Sequence, residues 1–192
     1  LGALSTLKQI SQAYKGDINV IFYYAGHGVP NEKNNEAYLL PADATPSMLE
    51  ACLPLSSLYS SIGSIDAKQV IVFMDACFSG SRRENGMIVS ARGVAIKPKK
   101  DIVTGNVVVF SAADGSETAY PYKEKGHGLF TYFLLKKLKE SRGNVTLGDL
   151  ADYIKTNVSQ KSIVVNNKSQ TPTISSSAQM QDVWRTMKLF RK

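Results

Sequence analysis

An apolar run, Ile71 to Met74, ends in Asp75-Ala76-Cys77. Another, Val20 to Ala25, ends in Gly26-His27-Gly28, so that fifty residues separate His27 from Cys77. A third, Asn106 to Phe110, runs into Ser111-Ala112-Ala113-Asp114. A thiol becomes a strong nucleophile once a base takes or shares its proton, and imidazole does this near neutral pH. Cys77 and His27 are therefore the residue types that acyl transfer needs. Glycines beside His27 let the backbone turn sharply and bring an amide close to a reacting carbonyl. The N–H groups of Gly28 and Cys77 are the candidate oxyanion donors. Taken singly, a cysteine after a strand reads as a small core residue and a loop histidine as polar surface. Their joint placement favours chemistry. Cys52 has no such setting and reads as structural.

The pair can meet only if the chain folds to bring them together. Leu4, Leu7 and Ile10 recur at helical spacing within Leu1–Ala13. Ile18–Tyr24, Lys68–Met74 and Asn106–Ala112 are short, apolar and rich in β-branched and aromatic residues, and read as buried strands. Gly26–Asn35 reads as a loop, and Ala37–Leu40 as a short extended piece. Helices are expected over Pro54–Ile62, Gly128–Glu140 and Thr146–Val158, the last capped by Thr146 with Asp149 three residues on. An edge strand is expected around Thr173-Ile174, and Val183–Phe190 reads as a last strand or a tail. Strands alternating with helices imply an α/β fold with a mostly parallel sheet covered on both faces. In such sheets ligands bind beyond the carboxyl ends of the strands. All three chemistry-bearing loops would leave from that edge.

Composition bounds the reading further. The chain has 192 residues, 43% of them hydrophobic, which suits one domain with a real core. No apolar run reaches the length of a membrane span, and no membrane partner is expected. Two cysteines make neither a disulfide framework nor a metal site, and free thiols fit a reducing compartment such as the cytoplasm. No metal or other cofactor is needed for the chemistry, and no Asp-rich loop calls for calcium activation. The net charge is +7. Residues 82–105 hold six basic residues (Arg82, Arg83, Arg92, Lys97, Lys99, Lys100) against two acids, which gives +4 of that total. The remainder is nearly balanced and lacks interleaved aromatics, so no nucleic-acid partner is expected.

The motifs YYAGHG (Tyr23–Gly28) and DACFSG (Asp75–Gly80) resemble the His and Cys motifs of the caspase-like cysteine peptidases, closest to metacaspases, paracaspases and bacterial caspase homologues. FSAADGSETAY and GHGLFTYFLLKKL are similar to the start of that family's small-subunit region. The resemblance covers Ile18 to about Ile174. It implies a three-layer α/β/α caspase-like fold and a cysteine endopeptidase using a Cys77–His27 dyad. Animal caspases carry glutamine two residues before the cysteine, whereas Asp75 stands there in this chain. In metacaspases and paracaspases an acid at that position lines the S1 pocket and selects Arg or Lys. The same resemblance assigns a second pocket acid to Glu117, with Asp114 as competitor, and substrate-backbone pairing to Ser111, Ala112 and Ala113. Expected partners are protein or peptide substrates with a basic P1 residue.

The chain also departs from the family. Its usual first strand and helix, and one expected pocket acid, have no counterpart here, so the segment that carries them is a further expected partner. The chain divides by this reading into a large-subunit-like part (1–81), a basic processing loop (82–105) and a small-subunit-like part (106–192). An enzyme selecting basic P1 residues can cut its own loop at Arg82, Arg83, Arg92, Lys97, Lys99 or Lys100. The rival readings are a catalytically silent scaffold of the same fold and a clostripain- or gingipain-like Cys-His peptidase.

Overall fold

The computed structural model describes residues 2–31, 33–78 and 102–190. Helix α1 (Gly2–Ala13) leads into strand β1 (Asn19–Ala25). Strands β2 (Gly28–Pro30), β3 (Ala37–Leu39) and β4 (Leu53–Pro54) follow, then helix α2 (Leu55–Gly63) and strand β5 (Gln69–Asp75). After the undescribed stretch come β6 (Val107–Ser111), β7 (Pro121–Tyr122), β8 (His127–Gly128), helices α3 (Leu129–Ser141) and α4 (Leu147–Asn166), and β9 (Thr173–Ser176).

The main sheet has the order β1-β5-β6-β9, with the first three strands parallel and β9 antiparallel. Every residue of β5 is buried, because both its neighbours and both its faces are covered. Alternate side chains point to opposite faces. Val70, Val72, Met74, Val107 and Val109 pack with α2 residues Leu58, Tyr59 and Ile62, against which Leu4 and Leu7 of α1 also rest. Ile71, Phe73, Val108 and Phe110 pack on the other face with α3 and α4. Phe73 and Phe110 meet at 5.1 Å between ring centres, and Trp184 stands edge-on to Phe110. Burial of each such side chain contributes about 1.5–3 kcal/mol. The result is a three-layer α/β/α sandwich.

Three details differ from the sequence reading. Strand β1 is not buried: Ile21 and Tyr23 are 43% and 48% exposed. Among the described residues it has one neighbour and lies at the sheet edge, so its apolar composition reflects one covered face rather than two. The glycine-rich stretch after it is not all loop, since Gly28–Pro30 pairs with β3. Helix α4 runs on to Asn166, because buried Ser162 satisfies its hydroxyl on the Lys168 carbonyl and does not end the helix. Of the two forms expected for the C-terminal stretch, strand or tail, it takes the tail: it makes one bridge, Thr146 to Lys188, and the buried Gln69 amide donates to the Lys188 and Leu189 carbonyls. Thr146 caps α4 as its spacing predicts, accepting from the Asp149 N–H at 3.0 Å.

Candidate active site

Parallel pairing sets the frame. Ala25 lies opposite Asp75, and Met74 opposite Ser111, so the three strands end level with one another. The Gly26 N–H continues the ladder by donating to the Asp75 carbonyl at 3.2 Å. His27 and Cys77 leave from neighbouring strand ends at one edge of the sheet. A Cβ on Gly28 would lie 2.6 Å from the Cys77 carbonyl oxygen and closer still to the Phe78 ring. A Cβ on Gly26 would meet the Tyr24 hydroxyl, also at 2.6 Å. Neither glycine has a left-handed φ. Close approach, not a sharp turn, crowds both positions flanking His27: to the Tyr24 ring at Gly26, and to the Cys77 backbone and Phe78 ring at Gly28.

The His27 loop is held by its carbonyl. Leu40 N–H donates to it at 3.0 Å, and the Tyr24 hydroxyl reaches both it (3.0 Å) and the Leu40 carbonyl (3.1 Å). In an antiparallel ladder hydrogen-bonded and non-hydrogen-bonded pairs alternate. With His27–Leu40 bonded, Gly28–Leu39 falls at the non-bonded position, so the Gly28 N–H points away from β3. That orientation suits an oxyanion donor. His27 is exposed, whereas Cys77 is 9% exposed and unbridged. No hydrogen bond links the thiol to the imidazole in this structure. Dyad bonds often tighten only once substrate is present.

Asp75 is 4% exposed. Its Oδ2 accepts from the Thr131 hydroxyl at 2.6 Å, and Gly128 stands so close that a Cβ there would lie 2.3 Å from the same oxygen. Thr131 is the third residue of α3, so the carboxylate lies against that helix's N-terminal turn, where an anion is favoured. Asp75 therefore ties β5 to the first turn of α3 while standing two residues from Cys77.

The loop after β6 is tied down at three points. Ser111 is paired on both sides, to Met74 and to Thr173. The Ala112 N–H donates to the Met74 carbonyl at 2.9 Å, and its own carbonyl accepts from the Gln170 amide at 2.9 Å. The substrate pairing expected of Ser111–Ala113 thus meets backbone already used at Ala112. Asp114 accepts from the N–H and hydroxyl of Ser116, closing a turn. Both Glu117 oxygens accept from Thr171, from its N–H at 2.5 Å and its hydroxyl at 3.1 Å. In this structure Glu117 fastens the loop rather than presenting a free carboxylate. Arg82, Arg83, Arg92, Lys97, Lys99 and Lys100 lie outside the described residues.

Cys52 is buried, and its thiol reaches the Met48 carbonyl at 3.5 Å. Burial pushes that thiol up, and the Glu50 charge adds to the shift. Sequence reading missed Tyr23, Thr131 and Gln170. Thr131 carried a faint signal, a hydroxyl among the buried Leu129, Phe130, Phe133 and Leu134 of its helix. Gln170 carried none; its role depends on a contact 58 residues away in sequence. Among the described residues no group of three or more His, Cys, Asp or Glu could hold a metal ion.

A family model described as Caspase domain matches residues 2–183. A Paracaspase from Dictyostelium discoideum is 29% identical over 139 residues, 72% of this chain. The chain spans only 31% of that relative's length. Among solved structures, a Geobacter sulfurreducens protein superposes with a TM-score of 0.59 at 18% identity, covering 96% of this chain and 76% of its own. Caspase-1 from Spodoptera frugiperda gives 0.59 at 14% identity, covering 91% and 66%. At such identities the two structures speak for the fold.

Gln170 is fully buried and bonds both the Tyr120 N–H (2.8 Å) and the Ala112 carbonyl. Gln170→Leu leaves both backbone groups unpaired. The expected loss in urea unfolding is roughly 2–4 kcal/mol with unchanged m. A loss below about 0.5 kcal/mol, the ordinary scatter of surface changes, would contradict the latch.

Proposed function

The chain belongs to the caspase domain family, and from that premise we propose that it is a cysteine endopeptidase cutting after Arg or Lys. One observation carries the catalytic part: the Gly28 backbone touches the Cys77 carbonyl, which puts the His27 and Cys77 loops side by side. Cys77 attacks the scissile carbonyl as its thiolate. His27 accepts the thiol proton and returns it to the leaving amine. The N–H groups of Gly28 and Cys77 hold the oxyanion, and water then hydrolyses the acyl-enzyme. No metal takes part in these steps.

Asp75 is the residue we assign to the P1 cation. A buried carboxylate two residues from the nucleophile gains strongly from a guanidinium or ammonium partner. Asp114 and Glu117 shape the loop beside it. The resemblance to metacaspases and paracaspases supports the same selection. Among the described residues the outer edge of β1 is unpaired and Ile21 and Tyr23 are exposed, which supports a further partner: a strand from outside residues 1–192 that completes the sheet. Unpaired strand edges otherwise invite aggregation.

The test uses fluorogenic peptides ending in Arg, Lys or Asp with wild type and Cys77→Ala. Arg and Lys peptides are expected to be cut, the Asp peptide not, and Cys77→Ala is expected to lose at least about 10³-fold in kcat. Cleavage after Asp would sink the role of Asp75. A folded wild type that cuts none of the three would favour the silent scaffold.

The basic stretch from Arg82 to Lys100 is the proposed site of self-cleavage. Intact-mass spectra are expected to show fragments ending at one of its six basic residues in wild type and a single full-length mass in Cys77→Ala. Identical fragments in both would rule self-cleavage out.

A further inference from the structure

Asp75 does not stand alone. Its carboxylate has lost nearly all its water, and a buried anion is costly unless hydrogen bonds replace that water. The Thr131 hydroxyl lies 2.6 Å from Oδ2, in the short range of charge-assisted bonds. Thr131 is itself only 7% exposed. Its single proton goes to Asp75, so its oxygen must accept from its other neighbour. That neighbour is the Tyr23 hydroxyl at 2.8 Å. The donor direction is thus fixed along the chain from Tyr23 to Thr131 to Asp75. Tyr23 is 48% exposed, so the chain starts at solvent and ends on the buried carboxylate. It joins three elements, β1, α3 and β5.

A core position on α3 has no packing need for a hydroxyl. Valine has nearly the same shape and would suit Leu129, Phe130, Phe133 and Leu134 better. The hydroxyl instead serves the hydrogen bonds to Asp75 and Tyr23. We infer that Thr131 and Tyr23 are positioning residues for P1 selection: through their linked hydrogen bonds they fix the plane of the Asp75 carboxylate toward a basic side chain. This rests on the assignment of Asp75 to the P1 cation. Neither residue touches substrate; both act through Asp75. Because Tyr23 lies on the open face of β1, whatever covers that face also covers the start of the chain.

The experiment compares two peptides of one sequence ending in Arg or in citrulline, which keeps the shape of Arg without its charge. Wild type is expected to prefer Arg. Thr131→Val is expected to lose about 10- to 100-fold in kcat/KM on the Arg peptide, mostly through KM, as for a bond to a charged group. The citrulline rate should stay within about twofold, inside the scatter of neutral changes. Thr131→Ser restores the donor and should restore the preference. Tyr23→Phe removes only the outer bond, with an expected loss of about 2- to 10-fold on the Arg peptide.

The inference is overturned if Thr131→Val keeps the wild-type Arg to citrulline ratio. It is equally overturned if both rates fall together while far-UV circular dichroism stays native. Should Thr131→Val fail to fold, the exposed Tyr23→Phe decides, and a wild-type ratio there overturns it. A wild type without preference for Arg sinks the Asp75 assignment itself, which is a separate result.

Discussion

Asp75 holds the carboxyl edge of the sheet together. Its backbone carbonyl takes the Gly26 N–H and so fixes the start of the His27 loop. Its side chain takes the Thr131 hydroxyl and meets the first turn of α3. Two residues later the chain reaches Cys77, against which Gly28 packs without room for a side chain. The start of α3 is thereby placed against the Asp75 carboxylate, and the His27 loop against the backbone of the same strand end. The register of β1 on β5 makes this possible, because slipping one residue would turn Asp75 toward the α2 face.

That register is secured by burial on both sides of β5. Its seven residues feed two separate cores, one under α1 and α2 and one under α3 and α4. The β6 side is equally closed, with β9 on its far edge and the Gln170 and Thr171 contacts holding the loop that follows. Among the described residues no strand pairs with the far edge of β1, and Ile21 and Tyr23 are exposed there.

Much of this was legible in the sequence. Short apolar runs with chemistry at their ends gave the parallel core, and Thr146 with Asp149 gave the start of α4 to the residue. His27, Cys77 and Asp75 stood out because strand ends in an α/β sheet must meet at one edge. Partner-dependent features stayed hidden. The exposure of β1 follows from which strands surround it, and an apolar run cannot tell one covered face from two. Glu117, expected at the pocket by residue count, accepts at both oxygens from Thr171, 54 positions on, a pairing no local pattern announces. Thr131 and Tyr23 matter only through a carboxylate on another strand. Local pattern carries none of these pairings.

The proposed pairing of a Cys77 nucleophile with a site for a basic P1 residue can be read in one step. An irreversible peptide label ending in an arginyl chloromethyl ketone does so, followed by peptide mass mapping. One adduct per chain is expected, on Cys77, formed faster than with the aspartyl analogue and suppressed by excess Arg-ending aldehyde. Cys52, whose thiol is buried and pushed up, should stay unlabelled at neutral pH. Labelling of Cys52 at an equal rate, or faster reaction with the aspartyl reagent, would contradict it.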